Sequence, residues 1–269
     1  MQYEPIKNLL GRFFSGPIFM RKALYLFLDL LLLRTWHVKK ALKKISLGLP
    51  FDADILDAGA GLGQYTWRMS RMNKGWKITA IDINEQQVKE GNDFSGKAGI
   101  SGRVKFITGD LTTYSDRGKF SLILSVDVME HIKEDETVFR NFCSSLKENG
   151  ALLISTPSDK GGSDVHGDEE DSFIDEHVRD GYNAGEITDK LNRAGFRSVE
   201  TKYTYGKPGS ISWRLSMKYP VKMLNASYLF FIILPFYYLI AFPVSMVLNF
   251  FDLYTDHKTG TGLLVTARK

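Results

Sequence analysis

Cysteine is almost absent from this chain of 269 residues. The single Cys143 excludes an intramolecular disulfide and fits a reducing compartment. Acidic side chains are scarce in residues 1–50, where Glu4 and Asp29 face nine lysines and arginines, so that this stretch alone carries +7. That imbalance points to anionic lipid, nucleic acid or a solvated basic helix face. Between residues 229 and 251 there is no charge at all, over a length that could cross a bilayer, which takes roughly 20 apolar residues. An earlier apolar run, 23–33, is interrupted by Asp29 and followed by lysines. It is too short to span and lacks the small-residue cleavage site of a secretory leader. No G-x-G-x-x-G is found at the first glycine-rich turn, because Gln64 stands where the third glycine belongs, so a dinucleotide fingerprint is not met. The tetrad N/D-P-P-Y/F of base-directed chemistry is missing as well: the corresponding stretch reads "SVDV".

What is present divides into parts. Residues 1–50 read as basic amphipathic N-terminal helices. "RKALYLFLDLLLLR" is apolar nearly all round. "TWHVKKALKKI" sets Trp36, Val38, Ala41, Leu42 and Ile45 against lysines, as in an interfacial helix or one packed on the protein body. Residues 51–206 alternate short apolar runs with helical ones, which predicts a parallel sheet covered on both faces. A helix is expected through "DETVFRNFCSSLKENG", with Gly150 just past its end. Residues 207–258 form a hydrophobic helical insertion, either membrane-associating or a substrate cover, and 259–269 hold a last strand. Between residues 159 and 186 ten carboxylates face Lys160 and Arg179, most simply a solvated loop.

The chemistry concentrates at "ILDAGAGLGQYT", where Asp57, Gly59, Gly61 and Gly63 make D-x-G-x-G-x-G between a strand and a helix. Glycines there permit a tight turn and close approach of backbone to a ligand. Asp82 follows nineteen residues after Gly63, and "ITGDL" places Asp110 and Leu111 after the third strand. With "FSLILSVDVMEHI", "ALLISTP" and "EHVRDGYNAGEITDKLNRAGF", these segments resemble the class I S-adenosylmethionine methyltransferases. "VMEHI" is similar to the matching stretch of quinone-pathway O-methyltransferases. The resemblance covers 53–206 and 260–269. It implies a Rossmann-like sheet of seven mostly parallel strands whose antiparallel last strand inserts beside the fifth. It implies S-adenosylmethionine as cofactor, contacted by Asp57, Gly59, Ala60, Gly61, Gly63, Asp82, Ile83, Asp110, Leu111 and Ser125. Asp82 would accept from the ribose hydroxyls and Asp110 from the adenine amino group. In the absence of a ligand role, Asp82 would cap the next helix and Asp110 a loop.

An oxygen acceptor must lose a proton, and histidine is suited to take it. On the resemblance His131 is the first candidate base and His177 the second, with His166 behind them. Asp127, Glu130 and His131 could together hold a divalent ion, but their spacing is loose and no metal site is assigned. The strands flanking the insertion must share one sheet, so 229–251 is not expected to be a single transmembrane helix. A shallow hairpin broken at Pro235 and Pro243, an interfacial helix and a packed cover all remain. The expected function is methyl transfer, O-directed, to a hydrophobic small molecule such as a phenol, quinone precursor or lipid, at the cytoplasmic face of a membrane. The alternatives are a C-methyltransferase or other lipid-modifying enzyme, and a non-catalytic membrane adaptor. Cyclopropane-synthase-type enzymes typically have a cysteine near the glycine motif, and this chain has none. No nucleic-acid partner is expected, and the oligomeric state is open.

Overall fold

The computed structural model describes residues 17–160, 178–227 and 229–269. The chain begins with helix α1 (Ile18–Leu31) and helix α2 (Leu33–Ser46), joined at Leu32 in an extended conformation. Strands β1 (Asp54–Ala58), β2 (Lys77–Asp82), β3 (Val104–Thr108) and β4 (Phe120–Val126) then alternate with α3 (Gln64–Met72) and α4 (Glu85–Lys97). A short 3₁₀ turn, Met129–His131, and α5 (Asp135–Ser145) precede β5 (Leu146–Pro157). Helix α6 (Ala184–Arg193) and strand β6 (Ser198–Thr204) follow. The insertion consists of α7 (Lys207–Trp213), a π-helical turn (Arg214–Lys218), α8 (Tyr219–Ala226) and α9 (Phe230–Tyr254), after which β7 (Gly262–Arg268) closes the chain.

The seven strands lie in the order β3-β2-β1-β4-β5-β7-β6. β7 runs antiparallel to both of its neighbours and the remaining pairings are parallel, which is the class I methyltransferase sheet that the resemblance implied. Side chains alternate across the sheet with period two. On one face Leu56 and Ile123 meet Phe139, Phe142 and Leu191. On the other, Ile55 and Leu124 meet Val38, Leu42 and Met69. Burial on both faces is why these strands are apolar throughout.

Two expectations are corrected. The helix before β5 stops at Ser145 rather than reaching Gly150. Leu146 pairs with Phe120 at the start of β4, and the register jumps before Leu122 meets Ala151, so sheet pairing overrides the helical pattern of 146–149. The left-handed residue is Asn149 (φ 63°), not Gly150, whose missing Cβ would lie 2.8 Å from the Lys147 carbonyl oxygen. Pro235 and Pro243 do not break 229–251: α9 runs through both for 25 residues, about 37 Å.

A hairpin does exist, but its limbs are α7–α8 and α9. The facing residues are small. Gly209, Ser212 and Ser216 are buried on one limb and Ala241, Ser245 and Asn249 on the other, and the Ser212 hydroxyl donates to the Ser245 carbonyl at 3.2 Å. The π turn offers carbonyls to α9, since Tyr237 donates to Leu215 O and Tyr238 to Ser216 O, each at 2.7 Å. These bonds tether α9 to the other limb within the stretch between its two prolines. Both ends of the hairpin return to the paired strands β6 and β7, and its base is tied to α2 by Asp252. That buried carboxylate accepts from His37 (2.9 Å), from Gly209 N (3.0 Å) and from Tyr205 N (3.2 Å).

Candidate active site

The C-terminal ends of β1, β2, β3 and β4 meet at one edge, beneath α1. After β1 the chain turns through Gly59 (φ 75°), Gly61 (φ 51°) and Gly63 (φ 78°), left-handed conformations that disfavour any Cβ. At Gly59 the added carbon would also lie 2.2 Å from Val128, and at Gly63 2.8 Å from Phe106. The amides of Gly59 and Ala60 both donate to the Ile81 carbonyl at 2.9 Å. Asp82 organises the turn: one oxygen accepts from Gly61 N at 2.7 Å and the other from Asn84 N at 2.9 Å. Helix α4 is capped by Asn84, which accepts from Gln87 N, so capping does not account for Asp82.

Asp57 is buried and accepts from the Thr66 hydroxyl in the first turn of α3. Burial pushes its carboxyl up to about 7 despite that bond. It therefore supports the glycine turn from below. Asp110 is exposed and closes a local turn by accepting from Thr112 N at 2.8 Å. Leu111 is buried in the core beside Leu56 and Ile81, while Ile83 is 73% exposed. Ser125 is buried on β4 with its hydroxyl unpartnered.

Sequence reasoning missed the roof of this site. Helix α1 turns Arg21, Tyr25 and Asp29 toward the glycine loop. Arg21 donates to Leu62 O and to Glu90 O at 2.8 Å, the Tyr25 hydroxyl donates to Leu62 O, and Asp29 accepts from Gln64 at 2.7 Å and pairs with Arg68. Their spacing of four residues was a legible signal, a polar stripe along one face of an otherwise apolar helix.

At the end of β4, Asp127 takes a left-handed conformation (φ 51°), donates its amide to Ser155 O at 2.9 Å and pairs with Arg34 of α2. The Arg34 amide donates to the Tyr205 hydroxyl at 3.0 Å. Tyr205 is itself left-handed (φ 56°), and burial pushes its phenol up to about 12. Glu130 is buried, which raises its carboxyl, and accepts from the Thr156 hydroxyl at 3.1 Å. His131, half-buried, ends the 3₁₀ turn beside it. Among the described residues no three acidic, histidine or cysteine side chains gather as a metal would need. Asp127 goes to Arg34 and Glu130 to Thr156. His166, His177 and most of the acidic loop lie outside the described residues.

The residues fit a nucleoside-bearing cofactor. At Gly61 a Cβ would meet only the Gln87 side chain, at 3.7 Å, so the turn is open on that side, and a carboxylate stands at the end of the next strand. Residues 52–201 match the family described as "Methyltransferase domain". The chain belongs to that methyltransferase-domain family. The domain is that of a SAM-dependent methyltransferase, and S-adenosylmethionine is its cofactor. A ubiquinone biosynthesis O-methyltransferase of Caulobacter vibrioides is 27% identical over 40% of this chain and 42% of its own length. Sphingolipid C9-methyltransferase B of Emericella nidulans is 34% identical over 43% of this chain and 23% of its own length. The matches thus span less than half of these curated relatives. In fold, the chain is similar to phosphoethanolamine N-methyltransferase 2 of Haemonchus contortus in complex with S-adenosylmethionine. That match has a TM-score of 0.60 at 18% identity and covers 87% of this chain and 52% of the other. Geranyl diphosphate C-methyltransferase of Streptomyces coelicolor gives a TM-score of 0.56 at 12% identity, over 85% and 74% of the two chains.

Proposed function

We propose that this protein is a SAM-dependent methyltransferase that methylates an oxygen of a hydrophobic small molecule, drawn from a membrane at whose cytoplasmic face it sits. The observation that carries the reading is the outward-facing apolar surface of α1 and the hairpin. Phe19, Leu26 and Phe27 on α1 and Ile232, Phe236, Leu239 and Ile240 on α9 are all more than half exposed. Patches of this extent mark an interaction surface. Among the described residues α9 alone is long and apolar enough to cross a membrane, with a mean hydropathy of 2.2 and 11% of that stretch buried. The two ends of the hairpin return to one sheet, so a monotopic hairpin accommodates the topology where one crossing would not. Arg214, Lys218 and Lys222 on the shorter limb suit anionic head groups.

When bound, S-adenosylmethionine supplies an electrophilic methyl on a sulfonium, whose sulfur keeps the bonding pair while the acceptor oxygen supplies the new one. Gly59, Ala60, Gly61 and Gly63 would hold it with Asp57 beneath, Asp82 at the ribose, and Ile83, Asp110, Leu111 and Ser125 around the rest. Alignment provides much of such catalysis. His131 is the base proposed for a protonated acceptor, and His177 the second candidate. C-methylation is the second reading, favoured by the 34% identity to a sphingolipid C-methyltransferase.

The test is transfer of radiolabelled methyl from S-adenosylmethionine to a whole-cell extract, followed by organic–aqueous partition. Label in the organic phase is expected and gives a compound to identify by mass. Label confined to water-soluble products would overturn the lipophilic acceptor.

A further inference from the structure

Helix α1 turns one face to the glycine loop and the other outward. We infer that α1 couples the two sides: a bilayer that receives its outer face tightens the cofactor at the glycine loop, and the cofactor in turn strengthens bilayer contact. The inference rests on the membrane reading above and adds a regulation of the same site.

The inner face is polar and grips the loop. The Leu62 carbonyl, between Gly61 and Gly63, accepts from Arg21 at 2.8 Å and from the Tyr25 hydroxyl. Arg21 also reaches Glu90 O of α4 at 2.8 Å and, through its Nε, the Tyr25 hydroxyl at 2.7 Å. One turn further along, Asp29 accepts from Gln64 at 2.7 Å and pairs with Arg68, both on α3. The loop held in this way is the one with three left-handed glycines. A loop ordered before the cofactor arrives loses less entropy when it binds.

The attachment of α1 to the body lacks a share in the sheet's core. Its buried residues Leu24, Tyr25 and Leu31 belong to neither of the two clusters that cover the sheet, whereas Val38, Leu42 and Ile45 of α2 do. Phe94 of α4 adds ring contacts, edge-on to Tyr25 at 5.6 Å and 4.9 Å from the Arg21 guanidinium. Local stability follows buried apolar contact, so α1 is held less firmly than α2. Leu32, in an extended conformation, separates the two helices. At 14 residues α1 is marginal as an isolated helix.

A bilayer holds such a helix in helical form with its apolar side down. Phe19, Leu26 and Phe27 would then face lipid, and Arg21, Tyr25 and Asp29 would be displayed on the opposite side, spaced for the loop. The bilayer and the cofactor favour the same docked α1, so each favours the other, and by the same factor. Ile232, Phe236, Leu239 and Ile240 of α9 give the chain a second apolar face, so bilayer contact survives changes confined to α1.

The full chain is titrated calorimetrically with S-adenosylhomocysteine, in buffer and again with phosphatidylcholine–phosphatidylglycerol vesicles at a lipid concentration where co-sedimentation shows the chain bound. The wild type is expected to bind about fivefold or more tightly on vesicles. Phe19→Gln/Leu26→Gln/Phe27→Gln removes exposed apolar groups only. It should match the wild type in buffer, co-sediment through α9 at higher lipid, and lose the gain. Arg21→Gln should co-sediment as the wild type does and lose the gain too, which keeps the test open if the triple variant no longer co-sediments. Wild-type affinity that is equal or weaker on vesicles, or a gain that survives in either variant, would overturn the coupling and leave the membrane reading standing. A wild type that fails to co-sediment at any lipid concentration would overturn the membrane reading and the coupling with it.

Discussion

Helices α1 and α2 are separated by one residue and are oriented oppositely. α2 buries Val38, Leu42 and Ile45 against the sheet and leaves Lys39, Lys43 and Lys44 exposed, as a helix does in water. α1 buries Arg21 and turns Phe19, Leu26 and Phe27 outward. The hairpin follows α1: Asp252 and Asn249 are inside, and Phe236, Leu239 and Ile240 outside. Apolar side chains therefore have two destinations in this molecule. In the sheet and α2 they make the core. In α1 and α9 they make a surface, while the polar groups of the same helices serve the site and the hairpin seam.

The sharpest way to break this comparison is to charge the outer face. Phe236→Asp/Ile240→Asp should weaken partition onto phosphatidylcholine–phosphatidylglycerol vesicles by roughly 4 kcal/mol, at about 2 kcal/mol per apolar side chain withdrawn, with S-adenosylhomocysteine affinity unchanged. Undiminished co-sedimentation would sink the membrane face. The matching change in the inward-facing helix, Leu42→Ala, should cost about 3 kcal/mol of folding stability, read as a lowered urea midpoint, and leave vesicle binding of the folded fraction alone. At the site, Asp82→Ala should weaken S-adenosylmethionine binding at least tenfold, about 1.4 kcal/mol, without lowering the melting temperature below that of a folded protein. An unchanged Kd would remove its ribose role.

The last effect is one of pH and concerns Asp57. Burial raises its carboxyl from an ordinary 3.8 to about 7, so between those values the fold keeps a proton that the unfolded chain has lost. Its contribution thus lowers stability as pH rises from about 4 to about 7, and is constant above that. Asp57→Asn should flatten this part of the stability profile. Urea midpoints that fall in parallel for variant and wild type would contradict the assignment.

The local pattern alone was enough for the alternation of strands and helices and for the glycine turn, because each depends on neighbours close in the chain. Apolar runs of five to seven residues between helical segments can be little else than buried strands, and a turn with three left-handed positions needs its glycines where they stand. What 229–251 could be was also bounded by sequence, since its flanking strands share a sheet. Only tertiary structure decided the rest. Pairing of Leu146 with Phe120 ended α5 early, and α9 runs whole through two prolines while packed along the limb formed by α7 and α8. Arg34, Asp127 and Tyr205 are remote in sequence, and no periodicity links them. The physical reason is the same in each case: periodicity records which side of an element is apolar, but the medium or partner on that side is supplied by segments that only the folded chain brings into contact.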